Sequence, residues 1–213
     1  MLKVKQFVFN MFGVNTYLVI DPDSKEAAVI DPGMYGSDEQ KEFDDYVKTN
    51  NLKITEVINT HLHLDHCFGD NYVKDKYGVK VAANIADAPL GADITTQMRR
   101  FGGRDAVKGV TIDVPLEDGD IITIGKERLV VITVAGHSPG GIALYSPDGN
   151  FVIAGDSLFR RSIGRTDLPG GNQRQLIDNI RKKLFTLPDD TMVLPGHDRF
   201  TTIGDEKMAN PFV

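Results

Sequence analysis

The stretch His61-Leu62-His63-Leu64-Asp65-His66 decides what fold this sequence predicts, because it holds three of the chain's five histidines. It directly follows an apolar run, 54–60, that predicts a β-strand. The two other histidines, His137 and His197, each stand in a glycine-flanked loop just after another predicted strand. Asp156 repeats this pattern, since it too follows an apolar run. Side chains that leave the ends of neighbouring strands can meet at one edge, so these residues are expected to converge.

Such a convergence of imidazole and carboxylate groups predicts a metal site. These ligands suit zinc best, and they also bind iron, manganese or cobalt. The set exceeds the four ligands of one tetrahedral ion, and two ions that share one carboxylate would use all of it. In a loop, His61 and His63 are expected to point the same way, whereas Asp65 and His66 turn toward a neighbouring position. A hydrogen-bonded or surface imidazole would explain any one of these histidines, but not the whole set.

The remainder of the chain predicts an α+β fold. Apolar runs bounded by turn residues predict strands at 4–9, 16–20, 27–30, 54–60, 79–83, 121–124, 129–134, 142–145, 151–154 and 192–194. Helices are predicted after a capping box at Ser37 and Gln40, at 69–77, and around Leu176, Ile180 and Leu184. In both halves the strands come first and a helix follows. We therefore predict a sandwich with helices on its outer faces, a single domain over 1–213, with a helical insertion or flap at 86–110.

Composition and charge exclude several classes of function. With 24 Lys and Arg against 30 Asp and Glu, the net charge of −6 disfavours broad attraction to nucleic acid or anionic lipid. The single cysteine, Cys67, cannot form an internal disulfide, and no apolar stretch approaches membrane-spanning length. The expectation is a soluble cytoplasmic protein with neither a nucleic-acid nor a membrane partner; its oligomeric state stays open.

The motif His-x-His-x-Asp-His at 61–66 resembles that of the metallo-β-lactamase superfamily. The resemblance extends to Asp31-Pro32-Gly33, the His137 loop, Gly155-Asp156 and Pro195-Gly196-His197. It implies an αββα sandwich with metals at one edge of the sheets. It also implies that His61, His63 and His137 bind the first metal, that Asp65, His66 and His197 bind the second, and that Asp156 bridges the two.

Within that superfamily, the segment 155–159 followed by Gly164-Arg165-Thr166-Asp167 resembles glyoxalase II-type thioester hydrolases and the related persulfide dioxygenases. Lactamases commonly place a cysteine in the second metal site, whereas here Asp156 holds the bridging position and Cys67 lies beside His66. The resemblance to short, single-domain glyoxalase II-like hydrolases implies cleavage of a small-molecule thioester such as S-lactoylglutathione. The implied cofactor is two divalent ions per chain, zinc first and iron or manganese next.

Three residues receive further roles from this resemblance and from their positions. Asp65 would be a catalytic residue, as a ligand, a proton shuttle, or both. Arg165 falls where such hydrolases hold a cation near the substrate; the alternative is a structural ion pair with Asp167. Asp31 ends a strand near the presumed metals and could accept an N–H from a ligating imidazole, and the alternative is a simple turn-forming role.

Other functions remain open at this stage. A persulfide dioxygenase would hold one ferrous iron with His61, His137 and Asp156. The stretch 136–140 also matches the G-x-S-x-G elbow of serine hydrolases with Ser138 as nucleophile, but Pro139 lacks the N–H that such an oxyanion hole requires. The last alternative is a binding role without catalysis.

Overall fold

The computed structural model describes residues 1–213 and contains two six-stranded sheets. The first sheet consists, in spatial order, of β1 (Lys3–Phe9), β2 (Val14–Ile20), β3 (Glu26–Ile30), β4 (Lys53–Ile58), β5 (Lys80–Ala83) and β6 (Val114–Pro115). The second consists of β14 (Thr201–Thr202), β13 (Met192–Pro195), β10 (Phe151–Gly155), β9 (Ile142–Ser146), β8 (Glu127–Thr133) and β7 (Ile121–Ile124). A separate hairpin is formed by β11 (Leu158–Phe159) and β12 (Ser162–Ile163).

Seven α-helices connect or flank these strands. They are α1 (Ser37–Thr49), α2 (Leu64–Cys67), α3 (Asp70–Tyr77), α4 (Ala88–Ala92), α5 (Ile94–Arg100), α6 (Gln173–Lys182) and α7 (Ile203–Ala209). The longest, α1, has 13 residues, and no helix combines the length and apolar character that spanning a bilayer takes.

The connections determine which strands are parallel. The short turn at 10–13 makes β1 and β2 antiparallel, whereas α1 carries the chain back so that β3 and β4 run parallel. In the second sheet α6 has the same role, because it separates the parallel strands β10 and β13. All seven residues of β2 are buried, as expected for a strand covered on both faces.

Three apolar clusters fill the spaces between four layers. Tyr17 and Ile30 from the first sheet meet Leu129 and Ile153 from the second in the central cluster. An outer cluster packs α1, α3 and α5 onto the first sheet, and another packs α6 and α7 onto the second. The predicted αββα sandwich is therefore confirmed.

Two local predictions are wrong. Ser37 and Gln40 do not form a capping box, because Gly36 is the N-cap of α1 and no side chain caps the helix. The second half of the histidine motif is not a loop, since Leu64–Cys67 forms the helical turn α2. His63 is extended and the N–H of His66 bonds to the carbonyl of His63, so Asp65 and His66 lie on a helix start rather than on an extended segment.

The segment 86–110, predicted as a helical insertion or flap, contains α4 and α5 and then, after Arg100, neither helix nor strand. Ile94, Met98 and Val110 are buried in the outer cluster of the first sheet. The segment therefore contributes to the helical layer on that sheet and brings Asp87, Gln97 and Phe101 near the histidines.

Candidate metal centre

All seven predicted ligands lie at one edge of the sandwich, in loops and in the helical turn α2, each of which follows a strand. The motif at 61–66 follows β4, His137 follows β8, Asp156 follows β10 and His197 follows β13. Asp31 follows β3 at the same edge. The parallel pairs β3–β4 and β10–β13 direct their carboxyl ends to this edge, which explains how residues far apart in sequence meet.

The structure brings the seven side chains into three overlapping groups whose ligand atoms lie within 4.8 Å of one another. The groups are His61, His63 and His137; His61, His66 and Asp156; and Asp65, His66 and His197. Within the first group, His137 Nε2 lies 2.8 Å from His63 Nδ1 and 3.2 Å from His61 Nε2. Asp156 stands between the groups, with Oδ1 3.3 Å from His66 Nε2 and Oδ2 3.5 Å from His137 Nε2.

The third group is nearest to solvent. His197 Nε2 lies 3.2 Å from Asp65 Oδ2 and 3.6 Å from Asp156 Oδ2. The His197 side chain is 22% exposed, whereas that of His66 is fully buried. A ligand from outside would therefore approach this centre on the side of Asp65 and His197.

A hydrogen-bonded chain behind the centre fixes the orientation of two imidazoles. Asp31, with a left-handed φ of +50°, accepts the N–H and the hydroxyl of Thr60 at 2.7 and 2.6 Å. Its Oδ2 also lies 3.0 Å from His66 Nδ1, which donates to it. Thr60 Oγ1 is in turn 3.2 Å from His61 Nδ1. Both rings consequently direct Nε2 toward the centre.

Backbone groups complete this arrangement. His137 Nδ1 donates to the carbonyl of Arg165 at 2.7 Å, so its Nε2 also faces inward. Gly196 is required beside Asp156, since a Cβ at position 196 would lie 2.1 Å from Asp156 Oδ1. Any larger residue at 196 would displace the carboxylate from the centre.

Burial and neighbouring charges separate the protonation states of these groups. Burial, reinforced by the nearby histidines, lowers the pKa of His61, and it lowers the pKa of His63 to about 3, so both rings are neutral. Burial also opposes charge on His66, but Asp65, Asp156 and Asp31 raise its pKa well above the usual value. Burial raises the pKa of Asp156, yet His66, His137 and His197 together lower that pKa by more, so the carboxylate is ionised. Metal binding at His66 therefore releases a proton.

The donor set fits divalent metal ions. His66 Nε2 and Asp156 Oδ1 are buried, face each other and have no hydrogen-bond partner, which is costly unless a cation lies between such atoms. Zinc at 2.0–2.1 Å from tetrahedral ligands sets those ligand atoms roughly 3.4 Å apart. The closest ligand pairs here are separated by 2.8 to 3.6 Å, within groups whose ligand atoms all lie within 4.8 Å of one another. Seven ligand-type side chains are enough for two such ions that share Asp156.

A buried carboxylate that the sequence analysis missed holds the two histidine loops together. Asp87 Oδ2 accepts the N–H of Leu62, between His61 and His63, at 3.1 Å and the hydroxyl of Ser138 at 2.8 Å. Its Oδ1 accepts the N–H of Gly140 at 2.6 Å. Ser138, the alternative nucleophile, is fully buried and bonded to Asp87, so it does not face a substrate.

Two amide side chains that the sequence analysis also missed form hydrogen bonds to the backbone of the motif near the start of α2. Gln97 accepts the N–H of Leu64 at 3.0 Å and donates to the carbonyl of Leu62 at 3.2 Å. Asn10 donates to the carbonyl of Asp65 at 3.0 Å. These contacts come from α5 and from the turn before β2, so no local spacing in the sequence indicates them.

The centre forms the floor of a cavity of about 420 Å³. His63, Asp65, His137, Asp156 and His197 are exposed to it. Its walls carry the apolar side chains Phe12, Leu64, Phe101, Phe159, Ile163 and Leu168, and also Arg160, Ser162, Arg165 and Asp198.

Arg165, predicted to contact substrate, lies on the wall of this cavity. Its guanidinium binds Asp167 through two hydrogen bonds of 2.7 Å, and both side chains are more than half exposed. Its substrate contact stays a prediction, with the alternative ion pair present in the structure. The basic side chain of Arg160 lies on the same wall and forms no salt bridge.

Comparison with known proteins identifies the family. The model of the metallo-beta-lactamase superfamily matches residues 10–197, which contain every predicted ligand. The chain belongs to this superfamily. Members typically bind divalent metals, in agreement with the cluster of histidines and aspartates found here.

Three members of the superfamily resemble this chain over nearly all of its length. Hydroxyacylglutathione hydrolase GloC of Haemophilus influenzae is 33% identical over 207 residues, which cover 95% of this chain and 93% of GloC. The crystal structure of BLEG-1 B3 metallo-beta-lactamase has a TM-score of 0.90 at 32% identity and covers 99% of both chains. The structure of TTHA1623 in a di-iron-bound form has a TM-score of 0.86 at 32% identity, covering 98% of this chain and all of that one.

Proposed function

We propose that this protein is a binuclear metal-dependent hydrolase that cleaves a small-molecule thioester. The observation that carries the proposal is the convergence of all seven ligand-type side chains on the floor of one open cavity, with Asp156 between the groups. The likeness to GloC, named as a hydroxyacylglutathione hydrolase, supports S-lactoylglutathione or a related acyl-thiol as substrate. The di-iron form of TTHA1623 supports two metals, and we propose zinc first, then iron or manganese.

Different residues of the chain would have different roles in such a reaction. Two bound divalent ions would supply a hydroxide near neutral pH and polarise the thioester carbonyl. His61, His63 and His137 would hold the first ion and Asp65, His66 and His197 the second, with Asp31 and Thr60 fixing the tautomers of His61 and His66. Asp65, whose side chain lines the cavity, could also accept a proton from a water there. The thiolate leaves without a dedicated acid, because a thiol pKa of about 8.5 makes it a stable leaving group.

A mononuclear iron dioxygenase is the second candidate. It would use only His61, His137 and Asp156 and would give no metal-binding role to Asp65, His66 and His197. His66 Nε2 is nevertheless buried without a hydrogen-bond partner, and His197 lies at the cavity. This arrangement favours the binuclear hydrolase.

Metal content and substrate turnover decide between these functions. We expect freshly purified protein to contain close to two divalent ions per chain, to cleave S-lactoylglutathione, and to consume no oxygen with glutathione persulfide. Removal of the metals by a chelator should abolish cleavage, and zinc, iron or manganese should restore it. One iron per chain with oxygen uptake would establish the dioxygenase instead.

The β-lactam nitrocefin should be assayed beside the thioesters, because BLEG-1 is named a lactamase. Faster turnover of nitrocefin than of any thioester would overturn the proposed thioester hydrolysis.

Arg165→Ala tests how the thiol carrier is bound. If the guanidinium of Arg165 leaves Asp167 to bind a carboxylate of the substrate, its loss should raise KM for S-lactoylglutathione by about 10-fold or more, because a hydrogen bond to a charged group contributes about 1.5–3 kcal/mol. The lactoyl thioester of N-acetylcysteamine, which is neutral, should show a KM within about 2-fold of wild type. Arg181→Ala, on the exposed face of α6, is the matched control. Equal increases for both substrates would assign Arg165 a structural role with Asp167.

A further inference from the structure

The apolar wall of the cavity contains two phenyl rings brought together from distant segments. Phe12 lies in the turn between β1 and β2, and Phe101 lies at the end of α5. Their ring centroids are 5.3 Å apart at an interplanar angle of 75°, an edge-to-face contact. A third ring, Phe159, lies 6.3 Å from the imidazole of His197. The aromatic wall, defined as Phe12, Phe101 and Phe159, therefore lies beside the proposed ligands.

Backbone hydrogen bonds hold Phe12 and Phe101, and that of Phe12 is linked to the centre. The N–H of Phe12 donates to Asn10 Oδ1 at 2.9 Å, and the same Asn10 holds the carbonyl of Asp65. The N–H of Phe101 bonds to the carbonyl of Met98 at 3.1 Å. Gly103 packs so closely on Met98 that a Cβ would lie 2.4 Å from its sulfur, which fixes the turn after Phe101. The rings are thus positioned before a substrate binds.

The exposure of this wall indicates what it binds. Phe101 is 44% exposed although Phe12 covers part of it, so apolar surface remains open toward the cavity. Such a surface contributes most to the free energy of binding when an apolar group displaces water from it. Negatively charged groups of a thiol carrier would instead suit the guanidinium groups of Arg160 and Arg165, which line the same cavity. The uncharged acyl group is therefore the part of a thioester that suits the rings.

We propose, on the basis of the proposed thioester hydrolysis, that the aromatic wall selects a bulky apolar acyl group, such as an aromatic or medium-chain acyl. A bulky apolar acyl group has more apolar surface than a lactoyl or acetyl group to place against these rings, and a cavity of about 420 Å³ has room for it. The natural substrate class is then a thioester of an apolar acid, and S-lactoylglutathione is a slower substrate.

The test compares the phenylacetyl and acetyl thioesters of glutathione. Their intrinsic reactivities are similar, because a methylene separates the phenyl ring from the carbonyl, and the shared thiol cancels any effect of the carrier. We expect kcat/KM to be about 10-fold or more higher for phenylacetyl. Phe101→Ala should reduce this preference by about 5-fold or more, because the substitution lowers kcat/KM for the phenylacetyl thioester more than for the acetyl thioester. Phe212→Ala is the matched control, since Phe212 is 48% exposed and does not line the cavity.

The outcomes separate this inference from the function on which it rests. Cleavage of both thioesters at equal kcat/KM, or an equal loss for both in Phe101→Ala, would overturn the acyl selectivity and leave the hydrolase intact. Failure of the metal-loaded wild type to cleave any thioester would overturn the proposed function itself. An equal loss for both thioesters together with a lower thermal midpoint in Phe101→Ala, but not in Phe212→Ala, would assign Phe101 to the fold and overturn the acyl selectivity.

Discussion

Asp156→Asn is expected to reduce kcat/KM for thioester cleavage by about 10³-fold and to lower metal content from near two ions per chain to one or fewer. The reason lies in the position of the carboxylate, whose two oxygens face His66 and His137 on either side of the centre. An amide keeps the volume of the side chain but removes the negative charge and one acceptor oxygen. Loss of a bound ion removes several kcal/mol of transition-state charge stabilisation, and each 1.4 kcal/mol is about a tenfold change in rate.

A second aspartate of the same cavity provides the control for this prediction. Asp198 also lines the cavity, but it is exposed and belongs to none of the three ligand groups. Its φ of +62° is one that asparagine adopts readily, so Asp198→Asn adds no backbone strain. We expect this variant to keep wild-type metal content and to change kcat/KM by less than about 3-fold. If the two variants behave alike by metal analysis and kinetics, Asp156 does not bridge metals.

The ligand-bearing segments could be predicted from the sequence, because the residue patterns that indicate them each span only a few neighbouring positions. Each loop follows an apolar run that predicts a strand, and the short-range order of histidine and aspartate at 61–66 indicates ligation without knowledge of the fold. The same kind of local signal was available for α7, where Thr202 caps the N–H of Asp205, but it was missed. The two-residue strands β6, β11, β12 and β14 have too few residues for alternation to be visible.

The groups that orient the ligands could not be predicted, because they act across the fold. Asn10 reaches Asp65, and Gln97 reaches Leu62 and Leu64, through contacts that no spacing encodes. Asp87 is the clearest example, since the sequence places it in an apparent insertion while the structure places it between the loop of His61 and His63 and the loop of His137.

Asp87→Asn is therefore expected to lower the free energy of unfolding by about 2–4 kcal/mol and to weaken metal binding by about 10- to 100-fold. Asp87 is fully buried, and all three of its partners are donors: the N–H groups of Leu62 and Gly140 and the hydroxyl of Ser138. Whichever way the asparagine amide is turned, its NH₂ faces a donor instead of accepting from it. The lost contacts free the loop of His61 and His63 to move relative to the loop of His137.

The variant Asp93→Asn makes the same chemical change in the same segment and tests this reasoning. Asp93 is exposed and caps α5 by accepting the N–H of Thr96, a role that asparagine performs about as well. Chemical denaturation and metal titration should therefore show Asp93→Asn within about 0.5 kcal/mol of wild type, with unchanged affinity. If Asp87 serves only the core, its substitution should lower stability while metal affinity, measured well below the unfolding midpoint, stays at the wild-type value. Loss of both is expected, because the hydrogen bonds that stabilise the buried carboxylate are the same ones that hold the two histidine loops in register.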